Sequence, residues 1–122
     1  MLIPLFKTPA EPFALRLVGP DGTTSHEGRL EVLHQGVWGT VCDDHFGSEE
    51  AHVVCRQLNY NGAVAYYTAQ TSGIGQIWLD NVSCQGDESS LNLCDHSGWG
   101  SHNCFHYEDV AVECNINTEG MQ

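Results

Sequence analysis

The stretch VWGTVCDDHFGSEEAHVVCRQLNYNG, residues 37–62, changes its period midway, and that change decides the fold class. Its opening, VWGTVC (37–42), reads as a strand in which Gly36 and Gly39 allow close backbone approach. From residue 48 the spacing turns helical. Ser48 can cap a helix, and Glu49 and Glu50 suit its positive first turn. Ala51, Val54, Cys55 and Leu58 then fall at i, i+3, i+4 and i+7, one apolar stripe, and Asn61-Gly62 stops it. Cys55 lies on that stripe, so we expect a disulfide to pin the helix to a strand beneath it.

Working outward, the flanks read as strands. Leu15 and Leu17, then Leu30 and Val32, alternate with polar residues across the turn-rich GPDGTTSHEG (19–28). AVAYYT (63–68) and QIWLDNV (76–82) follow, separated by TSGIG (71–75), and VAVEC (110–114) closes the pattern. Ser83 to Tyr107 is rich in Gly, Ser, Asn, Asp and His and reads as a long loop region stapled by cysteines. The expected class is α+β. Prolines at 4, 9 and 12 mark residues 1–13 as a linker or remnant ahead of a domain spanning 14–116, with a flexible tail over 117–122. The opening MLIPLFKTPAEPF has no proper apolar core or cleavage site, so it does not read as a signal peptide.

Charge narrows the function. There are 16 acidic residues against 4 fixed cations, Lys7, Arg16, Arg29 and Arg56, for a formal charge of −12. Nothing resembles a basic patch, which argues against direct nucleic-acid binding and against docking on an anionic membrane. Membrane insertion by this stretch is equally unexpected. Cysteines at 42, 55, 84, 94, 104 and 114 read as three disulfides in an oxidising, extracellular setting, although their spacing leaves the pairing open. The absence of any CxxC pair weakens a structural zinc reading. Asn81-Val82-Ser83 is a glycosylation sequon.

EGRLEVLHQGVWGTVCDDHF, AHVVCRQLNY, GQIWLDNVSCQGDESSLNLC and GWGSHNCFHYEDVAVEC, in that order, resemble a scavenger receptor cysteine-rich domain of the six-cysteine, group A type. The resemblance runs from about Leu15 to Cys114. It implies pairs Cys42–Cys104, Cys55–Cys114 and Cys84–Cys94, and a curved six-stranded sheet cradling one helix. Asn59-Tyr60-Asn61-Gly62 departs from the Leu-Gly-Tyr/Phe of many members, which changes only the turn after the helix.

The same resemblance gives the adjacent Asp43 and Asp44 a role. Two carboxylates about 4 Å apart repel by roughly 1 kcal/mol in water and about 4 at an effective dielectric of 20. Family members bind Ca²⁺ through these positions and a glutamate before the last strand, here Glu108. A second site in some members maps to Asp80 with Asn103 and Asn81, and a glycan on Asn81 would compete with it. Both aspartates reach one ion only if the strand has ended, since neighbours on a strand face opposite ways. The implied function is an extracellular recognition module that binds polyanions or acidic groups of partner proteins through calcium. The alternative is a structural or spacer module beside a protease or oxidase.

Other constellations carry less. Cys94-x-His96 and His102-x-Cys104-x-His106 resemble a metal cluster, but oxidised cysteines are not thiolate ligands. No nucleophile motif appears, and nothing marks a substrate cleft around Asp80 and Glu108, so no catalysis is expected. Trp38 and Trp78 read as core residues, whereas Trp99 in SGWGSHN reads as an exposed ligand contact.

Overall fold

Strand β2 (Glu27–His34) organises the sheet because it pairs with three others. One edge takes β1 (Ala14–Val18) antiparallel, from Ala14↔Leu33 to Val18↔Arg29. The other edge is divided. Its first half pairs with β6 (Val110–Cys114), and its second half with β3 (Val37–Val41). Outside these, β4 (Ala63–Thr68) runs antiparallel to β6 and β5 (Ile77–Leu79) runs parallel to β3. The result is a curled six-stranded sheet of order β4-β6-β2-β3-β5, with β1 against β2. The computed structural model describes residues 13–116, so the expected linker and tail lie outside it except for Phe13, which packs edge-on against Trp99.

The alternation read in the sequence holds: Leu15, Leu17, Leu30 and Val32 are buried, and Val110 and Val112 join them from β6. The helix α1 (Ser48–Gln57) closes this core with Ala51, Val53, Val54 and Cys55. A Val or Leu fully withdrawn from water contributes about 1.5–3 kcal/mol, so this layer is the main source of stability.

Both ends of α1 differ from the sequence reading. The N-cap is Gly47, not Ser48; its N–H donates to Glu50 Oε1 at 2.7 Å. Glu50 is buried, and its other oxygen accepts the Cys84 N–H at 2.8 Å, so one carboxylate ties the helix start to the long loop. At the far end Asn59 takes the left-handed conformation (φ 71°). Its N–H bonds Arg56 O and the Tyr60 N–H bonds Cys55 O, each at 2.9 Å, a paired C-terminal closure that ends the helix before Asn61-Gly62.

The two glycines around β3 have different jobs. A Cβ on Gly39 would lie 2.5 Å from Trp78 Cδ1, so close approach is real there. Gly36 meets nothing; it follows Gln35 in a two-residue hairpin in which both have positive φ, 53° and 77°, the turn such hairpins favour. β5 is shorter than QIWLDNV, with Asn81 at φ 57° beyond its end. The disulfides are Cys42–Cys104, Cys55–Cys114 and Cys84–Cys94, and the second pins α1 to β6.

Candidate metal centre

After Val41 the chain forms a corner. Cys42 bridges to Asp109, the Asp43 N–H donates to Glu108 O at 2.8 Å, and Phe46 N–H returns to Asp43 O at 3.1 Å. His45 sits at φ 63° and buried Phe46 anchors the turn. Strand alternation no longer applies here. Carboxylate oxygens of Asp43, Asp44 and Glu108 lie within 4.8 Å of one another. Thr68 Oγ1 donates to Asp43 Oδ2 at 3.1 Å.

The cluster leans on a disulfide. Asp44 Oδ2 is 3.5 Å from Cys104 Sγ and Glu108 Oε1 is 3.4 Å from Cys42 Sγ, packing contacts only, since oxidised sulfur has no proton to donate. On the other side of Asp44 stands Asp80, with carboxylate oxygens of the two within 4.8 Å. Asp80 is 1% exposed, and its Oδ1 is buried without a hydrogen-bond partner. A buried carboxylate oxygen left unpaired is costly, and a proton, a water or a cation would relieve it. Asn103 is exposed, with its Oδ1 3.8 Å from the same Cys104 Sγ that Asp44 touches. Asn81 is also exposed, and its amide donates to Ser97 Oγ at 2.8 Å.

The electrostatics follow from this crowding. Partial burial and then the charge of Asp80 push the Asp44 carboxyl above its ordinary range. Glu108 is pushed the same way, by burial and then by Asp44, Asp43 and Asp80. His45 offsets Asp44 only in part, and no arginine among the described residues reaches the cluster. Arg16 and Arg29 both pair with Glu31, and Arg56 donates to Gly86 O. The donor set is all oxygen, which suits a hard cation such as Ca²⁺ and gives a softer metal no nitrogen or thiolate.

The loop bearing Glu108 is clamped from behind. His106 Nε2 donates to Gly75 O at 2.9 Å, and its Nδ1 faces Asp109 Oδ2 at 3.0 Å. Asp109 is buried and also accepts the Gly73 N–H at 2.8 Å. On the outer side of this loop, Phe105 and Tyr107 stack at 5.6 Å while remaining 63% and 68% exposed. Sequence reading missed this pair; the signal was two aromatics flanking His106 directly ahead of Glu108.

The tryptophans depart from expectation in part. Trp99 is half-buried, stacked on His34 at 3.8 Å and edge-on to Trp78 at 6.1 Å, so it holds its loop to the sheet and is not a free contact. Trp78 packs against the core as expected though half-buried, and Trp38 is half-buried with Arg16 4.0 Å over its ring. His96 and His102 accept the N–H groups of Gly98 and Cys104, each at 3.0 Å, and with His106 clamped the three belong to no converging ligand group among the described residues.

Residues 20–115 match the sequence profile of the scavenger receptor cysteine-rich domain. The chain is 60% identical over 103 residues to bovine lysyl oxidase homolog 4, covering 83% of this chain and 14% of that protein. It is 53% identical over 108 residues to human CD5 antigen-like, covering 85% of this chain and 30% of that protein. The chain therefore spans under a third of these curated relatives. Among solved structures, the third such domain of murine neurotrypsin superposes with a TM-score of 0.73 at 44% identity, over 84% of this chain and 96% of that one.

Proposed function

The chain belongs to the scavenger receptor cysteine-rich family, and on that premise we propose that it is an extracellular recognition module gripping anionic ligands through Ca²⁺ held by Asp43, Asp44 and Glu108. One observation carries this reading: these carboxylates converge beside Asp80, whose buried Oδ1 lacks a partner, and no arginine offsets them. Asp80 and Asn103 flank Asp44 as donors for a second ion; Asn81, turned to Ser97, is left as the sequon residue. Bound calcium supplies a positive, partly hydrated pole to which a sulfate, phosphate or carboxylate of the ligand coordinates. The chain's own contribution is positional. The Cys42–Cys104 bridge fixes the corner, the His106 clamp sets the Glu108 loop, and Phe105 and Tyr107 offer apolar surface beside it. Polyanions and acidic groups of partner proteins are the ligand class, and three disulfides support an extracellular setting. No helix among the described residues is long and apolar enough to cross a membrane.

A second reading is a structural module without a ligand of its own, and the small share of lysyl oxidase homolog 4 that the chain spans favours it. Surface capture on immobilised dextran sulfate separates the two. Recognition predicts binding in millimolar Ca²⁺ that is lost with EDTA and in the Glu108→Ala variant. Binding that persists in EDTA, or none in calcium, would sink the recognition reading.

A further inference from the structure

A second group of ligand atoms gathers where β2 pairs with β6. Glu27 and Glu113 are directly paired across β2 and β6. Like charges so placed repel. His26 stands just before β2, its backbone carbonyl fixed by the Cys114 N–H at 2.8 Å. One ligand atom from each of His26, Glu27 and Glu113 lies within 4.8 Å of the others, and all three residues are half-buried. Tyr67, from β4, donates its hydroxyl to Glu27 Oε2, one of that carboxylate's two oxygens. The same two glutamates, after burial, help to push the Tyr67 phenol up to about 12. Arg29 is turned to Glu31 and Thr71, and Arg16 to Glu31, so neither neutralises the pair. His26, Glu27 and Tyr67 also line a cleft of about 530 Å³ between the 19–28 turn and the end of β4, which gives an ion a route in.

We propose that His26, Glu27 and Glu113 form a transition-metal site, suited to Zn²⁺, separate from the Asp43/Asp44/Glu108 cluster. The imidazole sets its chemistry. Nitrogen beside carboxylate suits zinc, whereas calcium prefers oxygen alone. A dication offsets the two facing carboxylates. Three protein ligands leave the fourth tetrahedral position open to the cleft. Bonds of about 2.0–2.1 Å place tetrahedral ligand atoms about 3.3 Å apart, so the side chains close by no more than rotamer adjustments allow while the paired strands stay fixed. Tyr67 orients Glu27 from behind, as outer partners of metal ligands do.

The test is calorimetric titration of the oxidised domain with Zn²⁺ in millimolar Ca²⁺, which keeps the hard-cation cluster occupied. One zinc per chain should bind, and His26→Ala and the isosteric Glu113→Gln should each weaken it at least about tenfold. Asp44→Ala should leave it unchanged, and every variant should still unfold in one cooperative thermal transition, so that lost affinity is not lost folding. No zinc uptake, unchanged affinity in both variants, or loss of zinc binding in Asp44→Ala overturns the proposal. Because calcium is held constant, failure of the calcium reading appears separately, in the Asp44→Ala titration with calcium alone.

Discussion

Glu108 rests against Cys42, its Oε1 3.4 Å from Sγ, while Asp44 rests against Cys104, the other half of the same bridge. The disulfide thus touches a carboxylate from each of the two loops it joins. It closes 62 residues, whereas Cys84–Cys94 closes 10. On the chain-entropy relation these loops correspond to about 4 and about 3 kcal/mol. The Cys84 loop has further ties: Glu50 accepts the Cys84 N–H and Gln57 accepts the Leu91 N–H.

From this contrast, the Cys84→Ala/Cys94→Ala double variant should fold and keep its calcium affinity at lower stability. Cys42→Ser/Cys104→Ser should lose calcium binding even under conditions where circular dichroism reports a folded sheet. Urea denaturation with calorimetry checks both, and retained calcium affinity in the second variant would refute the tethering argument.

The carboxylate cluster should also cost stability without a cation. Asp44 carries a raised pKa because burial and Asp80 disfavour its charge, so removing that charge relieves the empty site. In EDTA, Asp44→Asn should melt at or above the parent's temperature. In calcium the order reverses. A ligand at a hundred times its dissociation constant adds about 2.7 kcal/mol to the parent, and the variant forfeits it. Differential scanning in both conditions decides; a variant that melts below the parent in EDTA would mean that Asp44 has a structural role.

Most of the fold was legible because it is written in short-range patterns. The strands at 63–68 and 110–114 begin and end where the sequence reading placed them. The end of the helix was not, because Asn59, a left-handed residue with a side chain, was passed over for the glycine that follows. Trp99 misled for a different reason. Its neighbours in sequence are small and polar, while its partners, Phe13, His34 and Trp78, come from far along the chain. The aspartate pair stood out as an electrostatic anomaly, and its partners Glu108 and Asp80 came through family likeness alone. The His26, Glu27 and Glu113 cluster could not be read, since Glu113 lies opposite Glu27 only through the β2–β6 register.

The clamp behind Glu108 predicts a pH dependence. Burial works against a charged His106 ring, but Gly75 O and the Asp109 carboxylate, both accepting from it, outweigh that and the nearby Arg29, so the pKa is raised. A group held above its unfolded value, about 6.5 for histidine, stabilises fully below that value. The contribution then fades as pH rises through the folded value. In EDTA the parent should therefore lose urea stability as pH rises from about 6.5 through the raised folded value. His106→Gln, which keeps a donor but cannot titrate, should lose less over the same window. Exchange of the Gly73 amide, whose acceptor is Asp109, should quicken in the parent as the clamp discharges. Parallel stability profiles in the two proteins would show that His106 is not held protonated by Asp109.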